Sequence, residues 1–223
     1  MSLSYSFITI SLKTLTSLIC RIDCAELEQV PMQGPLIIYT NHVNILEIPI
    51  IFTQLQPRKV HGMVLAERWN NPVLRWMLDV TETIPLHRGE ADFAAIRHSL
   101  DVLDKGRIIV ISPEGTRSHA GILQSAHAGV VLLALHSRAL LLPVAYYGAE
   151  KYKQNLRRLK RTDFHLRVGK PFHLEDHGEM VTRVLREKMV EEMMYQLAGI
   201  LPPQYRGHFA NLSAATTSYL VFE

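Results

Sequence analysis

Short apolar runs alternate with segments of helical periodicity along this 223-residue chain. The runs at 36–39, 107–111 and 139–145 are rich in Ile, Leu and Val, as expected for strands that are covered on both faces. From 93 to 103, apolar residues recur at helical spacing, and Gly106 predicts the end of that helix. Strands that alternate with helices predict a single α/β domain with a mainly parallel central sheet flanked by helices.

The remaining elements follow from the same patterns. The Asn71-Pro72 pair predicts the start of a helix, because asparagine caps helices and proline is tolerated at the first helical position. We interpret the run at 164–168 as the last strand, before a long final helix. The other predicted elements are strands at 59–65 and 83–86 and helices at 72–78, 126–137 and 181–197.

The predicted organisation is an apolar N-terminal helix at 1–20, one domain at 21–209 and a C-terminal tail at 210–223. The segment Leu3–Ile19 is interrupted by Ser, Thr and Lys, so it lacks the run of about 18 apolar residues that a membrane-spanning helix requires. It also lacks the basic start and cleavage site of a signal peptide. Two alternatives remain open: a helix that lies on a bilayer surface, and a helix that packs on the core.

Composition and charge narrow the class of protein. Hydrophobic residues make up 48% of the chain and charged residues 20%, which is typical of a globular rather than a disordered protein. A net charge of +3 allows an anionic partner without choosing between a membrane, a nucleotide and a phosphorylated substrate. The two cysteines, Cys20 and Cys24, are too few for a disulfide framework or a zinc site, and they favour a reducing cytoplasmic setting.

The first candidate site is a histidine followed by a carboxylate, directly after the run at 36–39. On one continuous helix, His42 and Glu47 would point about 140° apart, so they can meet only if the chain turns between them. We expect Asn44 to make that turn as a helix N-cap, with Glu47 in the first turn of the helix. An imidazole oriented by a carboxylate can act as a general base. A capping box without catalytic function is the alternative.

Two further strand ends carry groups that suit a phosphate. The segment 113–118 follows the run at 107–111 and offers Gly115 for close backbone approach, a hydroxyl at Thr116 and a guanidinium at Arg117. Arg88 follows the predicted strand at 83–86. Each signal is weak alone, because an ordinary polar loop or a solvated arginine has the same residues.

Taken in order, these segments resemble the motifs of the lysophosphatidic acid (1-acyl-glycerol-3-phosphate) acyltransferase family of glycerolipid acyltransferases. The resemblance extends from about Gly34 to Gly207. Four motifs in order are a specific signal, whereas any one alone is weak. The matching segments are Asn41-His42-x-x-x-x-Glu47 for N-H-x-x-x-x-D, Ile84–Arg88 for the second motif, Pro113–Ser118 for P-E-G-T-R-S and Leu142–Val144 for the fourth.

This resemblance implies a glycerolipid acyltransferase-like fold and an O-acyltransferase activity. His42 is then the base, and Glu47 is the residue that orients it. The donor is acyl-CoA or an acyl carrier protein, and no cofactor or metal is needed. The acceptor is a lysophospholipid, with lysophosphatidate, converted to phosphatidate in phospholipid biosynthesis, as the expected one. The residues implied in acceptor binding are Arg88, Glu114, Gly115, Thr116 and Arg117.

The chain departs from the family pattern at three positions. Glu47 replaces the usual aspartate, and Ala66 and His127 stand where relatives commonly carry lysines. These departures leave two alternatives open. One is an acyltransferase for another lysolipid or an amino-acid lipid, and the other is a catalytically weakened module that binds acyl-CoA or lipid.

A stretch rich in Lys and Arg at 151–161 concentrates positive charge. It predicts either a solvated loop or contact with an anionic membrane surface, where each basic residue contributes about 1 kcal/mol. Nucleic acid is not expected as a partner, because no recognition helix or aromatic platform accompanies the charge. We therefore expect a cytoplasmic enzyme that associates peripherally with membranes through this stretch and through Leu3–Ile19.

Overall fold

A computed structural model describes residues 3–87, 92–118 and 120–223. The first elements are α1 (Leu3–Ile19), β1 (Cys20–Asp23), β2 (Leu36–Thr40), α2 (Glu47–Gln54), β3 (Val60–Leu65), α3 (Pro72–Val80) and β4 (Ile84–Leu86). They are followed by α4 (Phe93–Asp104), β5 (Ile108–Ile111), α5 (Gly129–Ser137), β6 (Leu140–Tyr147), α6 (Tyr152–Arg157), β7 (Thr162–Val168), β8 (Phe172–Leu174), α7 (Arg183–Gly199) and β9 (Leu220–Phe222).

The strands of the described residues form one mixed sheet in the order β1-β7-β6-β2-β5-β3-β4, and β8 joins β6 to β9. Strands β6, β2, β5, β3 and β4 are parallel to their neighbours in that order. Strand β7 is antiparallel to β6. The predicted α/β class with a mainly parallel central sheet is therefore confirmed.

Strand β2 lies at the centre of the sheet and is buried on both faces. Alternate side chains point to opposite faces of a strand, so Ile37 and Tyr39 join the core under α5 and α7, whereas Leu36 and Ile38 join the core under α1 and α2. The Tyr39 hydroxyl also donates a hydrogen bond of 2.9 Å to the Met193 carbonyl in α7. Since each fully buried Leu or Ile contributes about 1.5–3 kcal/mol, the end of β2 is held firmly in place.

The run at 164–168 forms a strand as predicted, but it is not the last one, because β8 and β9 follow it. A further unpredicted strand, β1, precedes the first predicted strand. These three strands are only 4, 3 and 3 residues long, which is too short to give a continuous apolar signal. Strand β9 lies in the segment predicted as a tail and pairs with β8. The buried carboxylate of Glu192 also holds this segment, accepting hydrogen bonds from Thr216, Ser218 and Tyr219.

Helix boundaries follow the capping residues. The Asn71 side chain accepts hydrogen bonds from the backbone amides of Val73 and Leu74 at 3.0 and 3.1 Å, so the predicted N-cap of α3 is confirmed. Helix α4 ends at Asp104, and Gly106 follows with a φ of 66°, as predicted. The helix predicted from 126 begins only at Gly129.

The reversal of β7 determines where the N-terminal helix ends. His165 of β7 pairs with Tyr147, the last residue of β6, so β7 begins beyond the end of β6. Strand β1 runs parallel to β7, with Cys20 beside Thr162. The end of α1 and the residues before β7 therefore lie at the edge of the sheet where β2, β5 and β6 end, here called the carboxyl edge.

Helix α1 is apolar on two opposite faces. One face packs on α2, with the rings of Tyr5 and Phe52 centred 5.5 Å apart. The opposite face, here called the apolar face of α1, consists of exposed side chains. In the part of the chain that the structure describes, no helix combines the length and the apolar character that crossing a membrane requires. The apolar face consists of Leu3, Phe7, Ile10 and Leu18.

Candidate active site

Two loops meet at the carboxyl edge. Strands β2 and β5 are parallel neighbours, with Tyr39 beside Ile111. The segments that follow them therefore leave the sheet side by side. We call residues 41–46 the histidine loop and residues 112–118 the arginine loop.

The side chain of His42 is bound to that of Glu47, as the sequence predicted. The distance between His42 Nδ1 and Glu47 Oε2 is 2.7 Å. Because a carboxylate only accepts hydrogen bonds, Nδ1 carries the proton and the lone pair lies on Nε2. The Glu47 side chain is 4% exposed, whereas that of His42 is 21% exposed. The arrangement fixes the imidazole while leaving part of the ring accessible.

The turn between these residues differs from the prediction. Helix α2 begins at Glu47 and has no side-chain cap, so Asn44 is not its N-cap. The Asn44 side chain instead accepts a hydrogen bond of 2.8 Å from the Leu46 amide and donates one of 3.0 Å to the Ala149 carbonyl, which is an Asx-turn tied to the segment after β6. The expected position of Glu47 in the first helical turn is confirmed.

The Glu47 carboxylate organises the backbone as well as the imidazole. Its Oε1 accepts hydrogen bonds of 2.6 Å from the amides of both Val43 and Asn44. A capping box would require Asn44 to be the N-cap, so the capping-box alternative is wrong. Different oxygens of the Glu47 carboxylate bind the backbone of the histidine loop and the imidazole ring.

Glu114 connects the arginine loop to the histidine loop. It is 2% exposed, and its Oε1 accepts a hydrogen bond of 2.9 Å from the His42 amide. Its Oε2 accepts from the backbone and side-chain nitrogens of Gln124, at 3.1 and 3.3 Å. In the opposite direction, the Ser118 amide donates to the His42 carbonyl at 2.7 Å. Glu114 was grouped with the acceptor-binding residues, but both of its oxygens face donors within the protein.

The tip of the arginine loop faces solvent. Gly115, Thr116 and Arg117 are all exposed. Gly115 has a φ of 65°, and a Cβ atom at this position would lie 3.0 Å from Cδ2 of His127. A side chain is therefore disfavoured here by both backbone strain and contact. His127 packs behind the loop, with its amide 2.8 Å from the Pro113 carbonyl.

Other positions that the sequence singled out belong to neither of these loops, or lie outside the described residues. Arg88 lies outside the described residues, so its role stays a prediction. Ala66 begins a short 3-10 helix after β3. Among residues 3–87, 92–118 and 120–223, no three His, Cys, Asp or Glu side chains are grouped so as to hold a metal ion.

Comparison with known proteins agrees with the motifs. The chain is 24% identical over 189 residues to a 1-acyl-sn-glycerol-3-phosphate acyltransferase of Bacillus subtilis, covering 85% of this chain and 92% of the relative. It is 29% identical over 112 residues to a lyso-ornithine lipid O-acyltransferase of Pseudomonas aeruginosa, covering 50% of this chain and 42% of the relative.

The fold is shared with a solved structure. The crystal structure of the 1-acyl-sn-glycerophosphate (LPA) acyltransferase PlsC from Thermotoga maritima matches with a TM-score of 0.64 and 20% identity, over 88% of this chain and 78% of that chain. A sequence model described as Acyltransferase matches residues 21–147. This range is more than half of the chain and contains both loops of the candidate site. The chain belongs to the acyltransferase family.

Proposed function

We propose that this acyltransferase moves a fatty acyl group from an acyl thioester, acyl-CoA or acyl carrier protein, to the free hydroxyl of a lysophospholipid. The proposed acceptor is lysophosphatidate, and the product is phosphatidate. The observation that carries this proposal is the hydrogen bond of 2.7 Å between His42 Nδ1 and Glu47 Oε2. It orients the imidazole and leaves Nε2 free to act as a base at the carboxyl edge.

The reaction requires His42 to take one proton from the acceptor and to give one proton to the leaving group. His42 Nε2 takes the proton of the acceptor hydroxyl as its oxygen bonds to the carbonyl carbon of the thioester. The imidazolium that forms is stabilised by Glu47, which already accepts three hydrogen bonds. The carbon–sulfur bond then breaks, and the thiolate leaves as a thiol after taking the proton from His42. No covalent intermediate on the enzyme is needed.

The arginine loop is proposed to hold the acceptor phosphate. Thr116 and Arg117 are exposed on the loop that is bonded to the His42 backbone. A guanidinium and a hydroxyl suit phosphate oxygens. Holding the phosphate there would place the acceptor hydroxyl within reach of the base, and such positioning makes a large contribution to catalysis. Arg88 is proposed for the same role on the basis of the sequence.

A second acceptor class is favoured by two observations. The similarity of 29% to the lyso-ornithine lipid enzyme spans 112 residues, and lysines that relatives commonly carry are replaced by Ala66 and His127. Fewer cations around the site would suit an acceptor without a phosphate. An amino-acid lysolipid is therefore the alternative substrate.

Membrane association is proposed to be peripheral. The apolar face of α1 is exposed, with Phe7, Ile10 and Leu18 at 65%, 66% and 67%. The basic segment, residues 151–161, lies near the end of α1 at the carboxyl edge. Apolar and basic surfaces together suit an anionic lipid interface. Arg161 serves a different purpose, because its guanidinium donates to the carbonyls of Ser17 in α1 and Cys20 at the start of β1.

The test is an acyl-transfer assay with purified protein. Acyl-CoA and acyl carrier protein thioesters are each offered with lysophosphatidate, other lysophospholipids and lyso-ornithine lipid. Preferred use of lysophosphatidate supports the proposal, and preferred use of lyso-ornithine lipid supports the alternative. Binding of acyl-CoA or lysolipid without any transfer would show a binding module instead.

A further inference from the structure

The base is held by two carboxylates that act on different parts of one residue. Glu47 binds the imidazole of His42, at 2.7 Å from Nδ1. Glu114 binds its backbone amide at 2.9 Å, while the Ser118 amide binds its carbonyl at 2.7 Å. Both polar groups of the His42 backbone are therefore bonded to the segment that carries Thr116 and Arg117.

We propose that Glu114 is a positioning residue for this base, which acts in its ionised form by fixing the histidine loop against the arginine loop, and that it does not bind the acceptor. The inference rests on the proposed function. Its first support is burial, since a residue that is 2% exposed has no free surface for a lipid headgroup. The second support is occupancy, since its two oxygens already accept three hydrogen bonds.

Protonation of Glu114 would disturb this arrangement. Burial raises the pKa of the Glu114 carboxyl from 4.5 to about 7, although the hydrogen bonds from His42 and Gln124 oppose the rise. A carboxylic acid has an O–H where the carboxylate accepts, so one of the three donors would lose its partner. The titratable group facing Glu114 from the histidine loop is His42. His127 lies beside the adjacent Gly115.

The pH profile of kcat tests this role. In the wild-type protein, acid should inactivate the site through two groups, because His42 must be neutral and Glu114 ionised. The slope of the logarithm of kcat against pH should then approach two at the lowest pH, since each group that must be deprotonated adds one unit to the limiting slope. A limiting slope of about one, down to the lowest pH at which the wild-type protein stays folded, would overturn the proposal.

The Glu114→Gln variant gives the second measurement. The amide retains one acceptor oxygen, but its nitrogen would face the amide of Gln124. We expect kcat to fall on the order of tenfold to a hundredfold, the KM for the acceptor to stay unchanged, and the acid slope to become about one. A raised acceptor KM with kcat unchanged would show that Glu114 binds substrate and would overturn the inference.

Glu192→Gln is the matched control. Glu192 is 3% exposed and also accepts three hydrogen bonds, but its partners all lie in the C-terminal segment. This variant should lose stability with kcat and the acid slope unchanged. An equal fall in kcat in both variants would reduce Glu114 to a general role in stability. A wild-type protein that transfers acyl groups to no lysolipid would instead overturn the proposed function, and this inference with it.

Discussion

The side chain of Asn41 is hydrogen-bonded to both the amide and the carbonyl of Tyr146. Its Nδ2 donates to the Tyr146 carbonyl, and its Oδ1 accepts from the Tyr146 amide, each at 2.8 Å. Thr40 pairs with Val144 in the sheet, so the side chain continues the pairing of β2 and β6 one step past the end of β2. The residue directly before the base is thereby fixed to the neighbouring strand.

Asn41→Ala should lower both stability and turnover. The substitution leaves the buried amide and carbonyl of Tyr146 without these partners, which costs about 1–3 kcal/mol for an unpaired buried group. Chemical denaturation measures the loss, and kcat should fall because His42 follows directly. Asn71→Ala is the control, since it removes a helix cap worth about 1 kcal/mol outside the two loops. An equal effect of both variants on kcat would contradict this account.

His42→Ala should lower acyl transfer by at least about a hundredfold, because a positioned general base contributes that much or more. The fold should be retained, as checked by circular dichroism. His136→Ala provides the control, since the His136 ring is exposed and hydrogen-bonded to the Leu132 carbonyl of its own helix. Turnover near the wild-type level in folded His42→Ala protein would exclude the proposed mechanism.

Glu47→Asp restores the residue that relatives commonly carry, yet we expect it to slow this enzyme. Removing one methylene withdraws the carboxylate by roughly 1.5 Å. The shorter side chain cannot keep its bonds to the His42 ring and to the amides of Val43 and Asn44 together. A fall in kcat on the order of tenfold is expected. The exposed Glu191→Asp serves as control, and a gain in activity for Glu47→Asp would refute the expectation.

Arg117→Ala should weaken use of a phosphate-bearing acceptor. A charge-assisted hydrogen bond contributes roughly 1.5–3 kcal/mol, so the apparent affinity for lysophosphatidate should fall while donor saturation is unchanged. Arg88→Ala is expected to do the same. Arg183→Ala, which removes an exposed pair with Glu187, is the control. A loss confined to the affinity for the thioester donor would show that the acceptor assignment is wrong.

Binding to anionic vesicles should have a salt-sensitive part and an apolar part. Salt screens the basic segment within a Debye length of about 10 Å at 0.1 M, but it leaves the apolar face of α1 in contact with lipid. We expect partial release of wild-type protein at high salt in a co-sedimentation assay. At the same high salt concentration, release should be nearly complete for a variant in which Phe7, Ile10 and Leu18 are replaced by Ser.

These three residues lie opposite the face of α1 that packs on α2, so the replacements leave the core intact. Val184→Ser, which removes an exposed valine of α7, should bind like the wild type. If the triple variant bound vesicles equally at every salt concentration, a different surface would have to hold the protein to lipid.

The sequence predicted the parts of the fold in which one segment carries the whole signal. The runs of β2, β5 and β6 are apolar at nearly every position because both faces are covered. The pairing of His42 with Glu47 was predicted from a turn expected at Asn44, and an Asx-turn is found there. Strands β1, β8 and β9 were missed, because short strands at the margin of a sheet bury too few residues to show a pattern.

The supports of the base were missed for a different reason. Glu114 is 72 residues from His42 in sequence, and Tyr146 is 105 residues from Asn41. Both contacts exist because β2 lies between β5 and β6 in the sheet. Strand order is not contained in hydrophobic periodicity. The sequence shows that Glu114 follows a proline just after a buried strand. It does not show which groups the Glu114 side chain contacts.

The reversal of β7 has a kinetic consequence. Since it brings the end of α1 to the edge that carries His42, a protein resting on a bilayer through α1 would keep its reactive edge beside the lipid headgroups. Acceptor and product would then exchange by lateral diffusion, while the thioester arrives from water. Under the proposed function, turnover would follow the mole fraction of lysolipid in the surface rather than its bulk concentration, and diluting the acceptor with inert lipid would slow the reaction.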